Sequence, residues 1–493
     1  MADDKKTEHA GDGARVIQNR HPDYATRTGI WQFFEQSYKG GRAYIDSNLF
    51  QYFKEGEDEF AGRKKRAYRE NHSKRIVDLI NSYLFKEEPV RKTENTRLKE
   101  FHKNVDGQGK SISKFMKTAS QWASVFGRVY IMVDKRPVPE GEATGTAKDN
   151  LHPKAQPYAY MIFPYNVLDF AVDEQGRYKW ALIREDNRDD DDPFASTLEV
   201  KTQYRLWYGR EWILYDERGN EKDRGETGRE YVPMVALDNE EEDKYGGQSL
   251  IGDIAYLDRA IFNNWSRLDV IVNEQTFSQL MFPIEGLTHP ELLEDKKLRE
   301  KLMTLAVNRV LFYSSEASAA PTFISPDASQ AEFILTMIER QIRQLYSSMG
   351  LNNEVGEETK SESGVAKAFD FDKLNKLLAG KADNLEYAEN KMNEFFGAWI
   401  EDDGIECMTD YPENFDVRSL SDEIAIANEL ALMNISETFT KEIEKIVVKK
   451  AMPKAEKQLI SKIDKEIEEK VIEDPNIDRF DFDEPGKDKD KEG

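Results

Sequence analysis

Residues 249–272 read SLIGDIAYLDRAIFNNWSRLDVIV. Leu250, Ile254, Leu257, Ile261, Trp265, Leu268 and Val272 follow one another at steps of 4, 3, 4, 4, 3 and 4. Side chains three and four apart share one helical face, so this stretch predicts a long amphipathic helix. A compact mixed segment follows over about 283–326, punctuated by Pro283, Pro290, Pro321 and Pro326. A second helical stripe then runs through Ile334, Ile338, Ile342, Leu345 and Met349. The plan is two helical legs flanking a small foot.

C-terminal to the legs, GLNNEVGEETKSE (350–362) has no strong apolar residue except Leu351 and Val355. It predicts a mobile loop between two strong helices. The next helix, 363–400, carries Phe371, Leu374, Leu378, Leu385, Ala388, Met392, Phe395 and Trp399. Its length corresponds to roughly 57 Å, and Gly380 is a candidate bend. Residues 419–474 read as helical, with Ile460, Ile463, Ile467 and Val471 on one stripe that ends before Pro475. The tail 475–493 is acidic and expected to be disordered.

N-terminal to the legs lies a β-rich zone. Segments 127–134, 157–163, 167–173, 178–186, 199–208, 211–217 and 231–238 are rich in Val, Ile, Tyr and Trp, with turns between. EDNRDDDDP (185–193) is too polar for a core and is expected to be an exposed loop. Helices are expected over 111–126 and within 71–92, the latter on Ile76, Leu79, Ile80 and Tyr83. Residues 1–25 are polar and expected to be mobile. The fold class is therefore α+β.

The chain has 493 residues, enough for about three domains or one elaborated core. It carries 94 acidic and 70 basic residues, a net charge of −24. That balance excludes a simple basic DNA-coating protein and a polybasic membrane-surface protein. One cysteine, Cys407, excludes an internal disulfide framework and a cysteine zinc site. No run approaches the 18 or so apolar residues of a membrane span. The start, MADDKKTEHAGDGAR, lacks the apolar core of a signal peptide, so folding is expected in the cytosol.

Catalytic patterns fail on their spacing. NVDGQGKS (104–111) ends like a phosphate-cradling loop. That chemistry needs a glycine where Asn104 stands, and a preceding apolar strand. The alternative is a turn capped by Ser111. GQSLI (247–251) has Ile251 where a nucleophile elbow needs glycine. The six histidines are scattered and no metal-ligand spacing occurs. No catalytic residue, metal site or cofactor is expected. The basic cluster Arg63, Lys64, Lys65, Arg66, Arg69, Lys74 and Arg75 is read as phosphate contacts, a solvated helix face, or pairing with acids of a neighbouring subunit.

Four segments, in order, resemble the portal proteins (head-to-tail connectors) of tailed bacteriophages. They are NHSKRIVDLINSYLFKEEPV (71–90), GRVYIMVD (127–134) with FPYNVLDFAVDEQG (163–176), VPMVALDNEEEDKYGGQSLIGDIAYLDRAIFNNWSRLDVI (232–271), and ESGVAKAFDFDKLNKLLAGKADNLEYAENKM (362–392). The resemblance covers roughly residues 60–400. From 419 onward the chain matches only in being helical. The acidic insertion has no family counterpart.

The resemblance implies a portal fold that assembles as a ring. A wing would span 26–248 and 363–418. The stem would be helices 249–282 and 327–349, the clip 283–326, and the crown 419–474. Residues 350–362 would be a tunnel loop facing DNA, with Asn352, Asn353, Glu354, Glu357, Glu358 and Lys360 in it. The implied assembly is a dodecamer at a capsid vertex of the virion, built in the host cytoplasm. It would conduct double-stranded DNA during packaging and ejection, without sequence specificity. It would meet the terminase large subunit, a head–tail adaptor, and major capsid and scaffolding proteins, with no membrane partner. Sliding DNA suits few basic contacts, and the candidates are Arg340, Arg343, Lys360 and Lys367. Two other readings stay open at this point. One is a different virion structural protein of the tail or baseplate. The other is a DNA motor component that uses GQGKS.

Overall fold

A computed structural model describes residues 13–53, 55–135, 156–190, 192–276, 279–284, 311–314, 322–324, 329–351, 364–402, 405–412, 415, 437–452 and 457–469. The chain divides into two compact units, one up to Phe415 and one from Asp416. Helices and antiparallel sheets are both extensive, so the fold is α+β.

In the first unit the helices are α1 (Gly13–Val16), α2 (Tyr24–Lys39), α3 (Gly41–Asn48), α4 (Glu57–Arg66), α5 (His72–Leu84), α6 (Thr96–Lys103), α7 (Ile112–Phe126), α8 (Gly252–Thr276), α9 (Ser329–Ser348) and α10 (Gly364–Trp399). The strands are β1 (Val90–Lys92), β2 (Arg128–Lys135), β3 (Pro157–Ile162), β4 (Val167–Val172), β5 (Tyr178–Arg188), β6 (Val200–Tyr208), β7 (Glu211–Tyr215), β8 (Glu221–Glu226), β9 (Met234–Asp238), β10 (Gln279–Ile284), β11 (Leu311–Ser314), β12 (Thr322–Ile324) and β13 (Met408–Asp410).

The centre is β2. Its RVYIMV run is buried at every position, because both of its faces are covered. β2 pairs antiparallel with β3 and β9. Tyr130 and Met132 point to one face and join Phe170, Tyr178, Trp207 and Met234 in one apolar cluster with the second sheet. That sheet is a five-stranded antiparallel meander, β4 to β8 in sequence order. The helices α7 and α10 pack on β2 and β9.

Local signals explain the helix starts. Asn71 caps α5 by accepting from the Lys74 amide (2.9 Å), and Ser111 caps α7 by accepting from the Lys114 amide (3.4 Å). α5 then buries Ile76, Val77, Ile80 and Leu84 completely, each adding about 2 kcal/mol of apolar burial. Gly127 ends α7 with φ +88°, and a Cβ there would meet the Gly247 carbonyl at 2.0 Å. Only glycine lets the β9–α8 connection pass that close.

Seven strands were expected between 127 and 238, and all seven are present. Three expectations need correction, and one strand has no counterpart among them. Residues 13–25, expected to be mobile, hold defined structure: α1 lies there and His21 is buried, stacked on Tyr245 and packed against Phe170. The acidic insertion is not all loop, since 185–188 continue β5 in register with 200–203 of β6. Charged side chains are tolerated because this part of the ladder stands in solvent. The helix expected to 282 stops at Thr276, and residues 279–284 form β10 between β11 and β12. Pro283 is accommodated because the pairing with β12 ends at Gln279–Met281. Finally, β8 (EKDRGE) was not foreseen. It has no apolar alternation and is held at the sheet edge by backbone pairing and by Arg224, which bridges Glu211 and Glu221.

In the second unit α11 (Glu437–Ala451) and α12 (Lys457–Glu469) pack together, and Lys445 bridges Glu442 and Glu468. The acidic tail lies outside the described residues, as do most of 283–326 and residues 419–436.

Candidate functional site

The two legs are α8 and α9. They pack through Ile254, Ile261 and Leu268 on one side, and Ile334, Ile338 and Leu345 on the other, all buried. Asn264 Nδ2 donates to Gln341 Oε1 (3.1 Å) within this interface. These six belong to the two predicted stripes, of which Leu257, Trp265, Ile342 and Met349 are half-buried and Val272 is exposed. Gly350, at φ +71°, closes α9, and the Leu351 amide returns to the Tyr346 carbonyl (3.0 Å). Lys373 Nζ of α10 donates to the Ser348 carbonyl (2.5 Å) and ties the two helix ends together.

The legs are clamped to the body by buried charges. Asp258 of α8 is fully buried. It accepts from the Arg69 guanidinium, the Ser73 amide (2.9 Å) and Ser73 Oγ (2.5 Å). Arg63 donates to Ser266 Oγ on α8 (2.9 Å), to both oxygens of Glu55 (2.6 and 2.7 Å) and to the Phe50 carbonyl (2.6 Å). The guanidinium holds the Glu55 carboxyl below its ordinary range. Asn263 exchanges two further bonds with the Asn48 carbonyl and Phe50 amide (3.0 and 2.9 Å). His72 Nδ1 lies 3.3 Å from the Tyr346 hydroxyl of α9.

This corrects the reading of the basic cluster at Arg63 and Arg69, while Lys65, Arg66, Lys74 and Arg75 are exposed, as on a solvated face. Arg63 and Arg69 are neither phosphate contacts nor a solvated face. They are buried, and their partners are acids of the same chain. Lys74 pairs with Asp78 on the helix surface (2.6 Å).

The long helix α10 makes the other anchors. Glu389 is buried and receives Arg91 and the Tyr411 hydroxyl. Trp399 Nε1 donates to the Val133 carbonyl (2.8 Å). Lys381 is also buried, yet its Nζ reaches only Ser124 Oγ (2.8 Å) and Asn239 Oδ1 (2.6 Å) among the described groups. Burial lowers its pKa to about 7. Arg128 and Asp238 pair at the same end of the sheet.

Of the candidate DNA contacts, Arg340 and Arg343 stand exposed on α9, three residues apart and hence on one face. Lys367 lies in the first turns of α10. Lys360 and the tunnel-loop residues Asn352, Asn353, Glu354, Glu357 and Glu358 lie outside the described residues. The GQGKS turn is closed on itself. Asp106 Oδ1 accepts from the Gln108 and Lys110 amides (2.9 and 3.0 Å), and Asn104 Oδ1 accepts from the Gly109 amide (2.5 Å). The amides that would cradle a phosphate are thus already bonded. Among the described residues no cluster of His, Cys, Asp or Glu has the arrangement of a metal site. No described helix is long and apolar enough to cross a membrane.

No family model and no curated protein matches this chain. Solved structures similar at low identity include two particle necks. One is the "neck of native GTA particle computed with C12 symmetry", at 10% identity and a TM-score of 0.36, covering 74% of this chain and 85% of that one. The other is the "neck of empty GTA particle computed with C6 symmetry", at 9% identity and a TM-score of 0.36, covering 74% and 86%.

Proposed function

We propose that the chain is a portal-type protein. It would form a ring at a capsid vertex, conduct double-stranded DNA in packaging and ejection, and dock the terminase and a head–tail adaptor. It would do so as a conduit, without catalysing a reaction. The sequence resemblance supports this over residues 60–400. The observation that carries it is the pair of legs. Their facing stripes are buried against each other and their bases are locked to the body by Asp258 and Arg63. Away from that seam α9 still exposes large apolar side chains, with Phe333 70% and Leu335 39% exposed. A protruding helix pair leaves such residues in water unless neighbours cover them, and a closed ring supplies neighbours on both sides. The exposed Arg340 and Arg343 then offer sequence-blind, salt-dependent attraction to phosphates.

Negative-stain imaging with mass photometry tests this. The expected result is an annulus with a central channel and, for twelve copies of 57.0 kDa, a mass near 684 kDa. Eleven or thirteen copies would fit equally. Only monomers, trimers or hexamers under assembly conditions would overturn it.

A further inference from the structure

The five-stranded sheet carries a knob and a hole that one chain cannot join. From Trp180↔Tyr208 to Arg184↔Tyr204 β5 and β6 lie within the five-stranded sheet, and beyond that they run on as a two-stranded finger to Arg188↔Val200 near the tip. The tip is held by its own bonds. Asp189 Oδ2 accepts from Thr197 Oγ1 (3.0 Å) and Lys201 Nζ (2.7 Å), and Asp192 Oδ1 accepts from the Phe194 amide (2.8 Å). This fixed tip presents Phe194 with 98% of its surface exposed, flanked by exposed Asp190 and Asp192. An aromatic so fully in water on a structured tip is suited to insertion into a partner.

The hole lies at the finger's base. A cavity of about 340 Å³ is lined by Trp180, Leu182, Leu206, Ile213 and Tyr215, with Arg15 also in its wall. Glu211 is there as well, but Arg224 Nη1 donates to it (2.8 Å) and offsets its charge. The volume admits a phenyl ring, and the apolar walls suit it. Eight strand residues separate Trp180 from Arg188, which is about 27 Å of extended chain. The finger is paired along its length, so it cannot fold back onto its own base.

We propose that Phe194 of one copy seats in the Trp180–Tyr215 cavity of the next copy, with Asp190 and Asp192 facing Arg15. The contact is heterologous, so repetition generates a ring or a filament. This inference rests on the ring reading and names one of its subunit contacts.

The test uses full-length protein with Cys407→Ser, which removes the single native cysteine. Ala195→Cys protein, which keeps Phe194 and places the thiol on the exposed residue beside it, is mixed with Tyr208→Cys protein, Tyr208 being an exposed residue of the cavity wall. A short bismaleimide linker is added. Cross-linked dimers are expected in the mixture and in neither variant alone. Phe194→Ala is expected to raise the concentration for half-assembly by about tenfold or more. Its circular dichroism and melting should stay unchanged, because the ring is in solvent. Rings that form without a cross-link in the mixture would overturn this contact and leave the ring reading standing. A cross-link in dimers that never close would support the contact and overturn the ring.

Discussion

Lys381 is the residue whose chemistry the fold constrains most. Its ammonium is buried beside a hydroxyl and an amide oxygen, and desolvation brings its pKa down from 10.5 to about 7. The unfolded chain keeps the ordinary value. Between pH 7 and 10.5 the unfolded state therefore binds more protons than the folded one, and stability rises with pH across that window. Below pH 7 both states are protonated and the penalty is complete. From pH 7 to 9.5 the gain from this one group is about 3 kcal/mol. Lys381→Met should flatten that rise, leaving Asn239 short of a donor. Urea denaturation of both proteins at the two pH values measures it. Parallel curves for the variant and the natural protein would show that Lys381 is not the titrating group. Nothing in the residue pattern marks this lysine. Its stripe neighbours, Leu378 and Leu385, were legible from spacing. A lysine on the buried side looks like any solvated one until Ser124 and Asn239 are brought to it from other elements.

At the scale of elements, the junction of α5 and α8 depends on one carboxylate. Asp258 serves Arg69 and both donors of Ser73. Removing it leaves a buried guanidinium without its counter-ion, at a cost of about 3–5 kcal/mol. Asp258→Ala is therefore expected to lower unfolding free energy by that amount. Asp258→Leu combined with Arg69→Met should recover most of it, because the desolvated charges go together. A loss below about 1 kcal/mol for the single variant would show that the clamp is not what holds α8 to the body. Helix periodicity made α5, α7, α8, α9 and α10 readable, although α8 ends six residues before the expected 282. The clamp was not readable. Arg69 and Asp258 are 189 positions apart, and Arg69 sits in a run of bases that suggested a phosphate surface. β8 was hidden for a related reason. Its pairing is made by backbone groups, which carry no side-chain pattern.

For the whole molecule the governing quantity is charge. Each copy carries −24, so subunits brought into one ring repel each other over the Debye length. That length is about 30 Å at 0.01 M salt and about 8 Å at 0.15 M. Assembly through apolar contacts should therefore strengthen as salt rises over this range, which mass photometry at fixed protein concentration would follow. Duplex DNA should respond in the opposite sense. On the proposed conduit reading, its attraction to Arg340 and Arg343 would be electrostatic and would weaken with salt. A protein built to hold DNA would lose both together, since its assembly on DNA would depend on the same basic groups. Ring fraction and DNA retention moving in opposite directions is the signature of a conduit whose walls repel phosphate and whose basic contacts are few. If rings dissolve as salt is raised, charged rather than apolar contacts hold the subunits together, and the covering of Phe333 and Leu335 by neighbours is wrong.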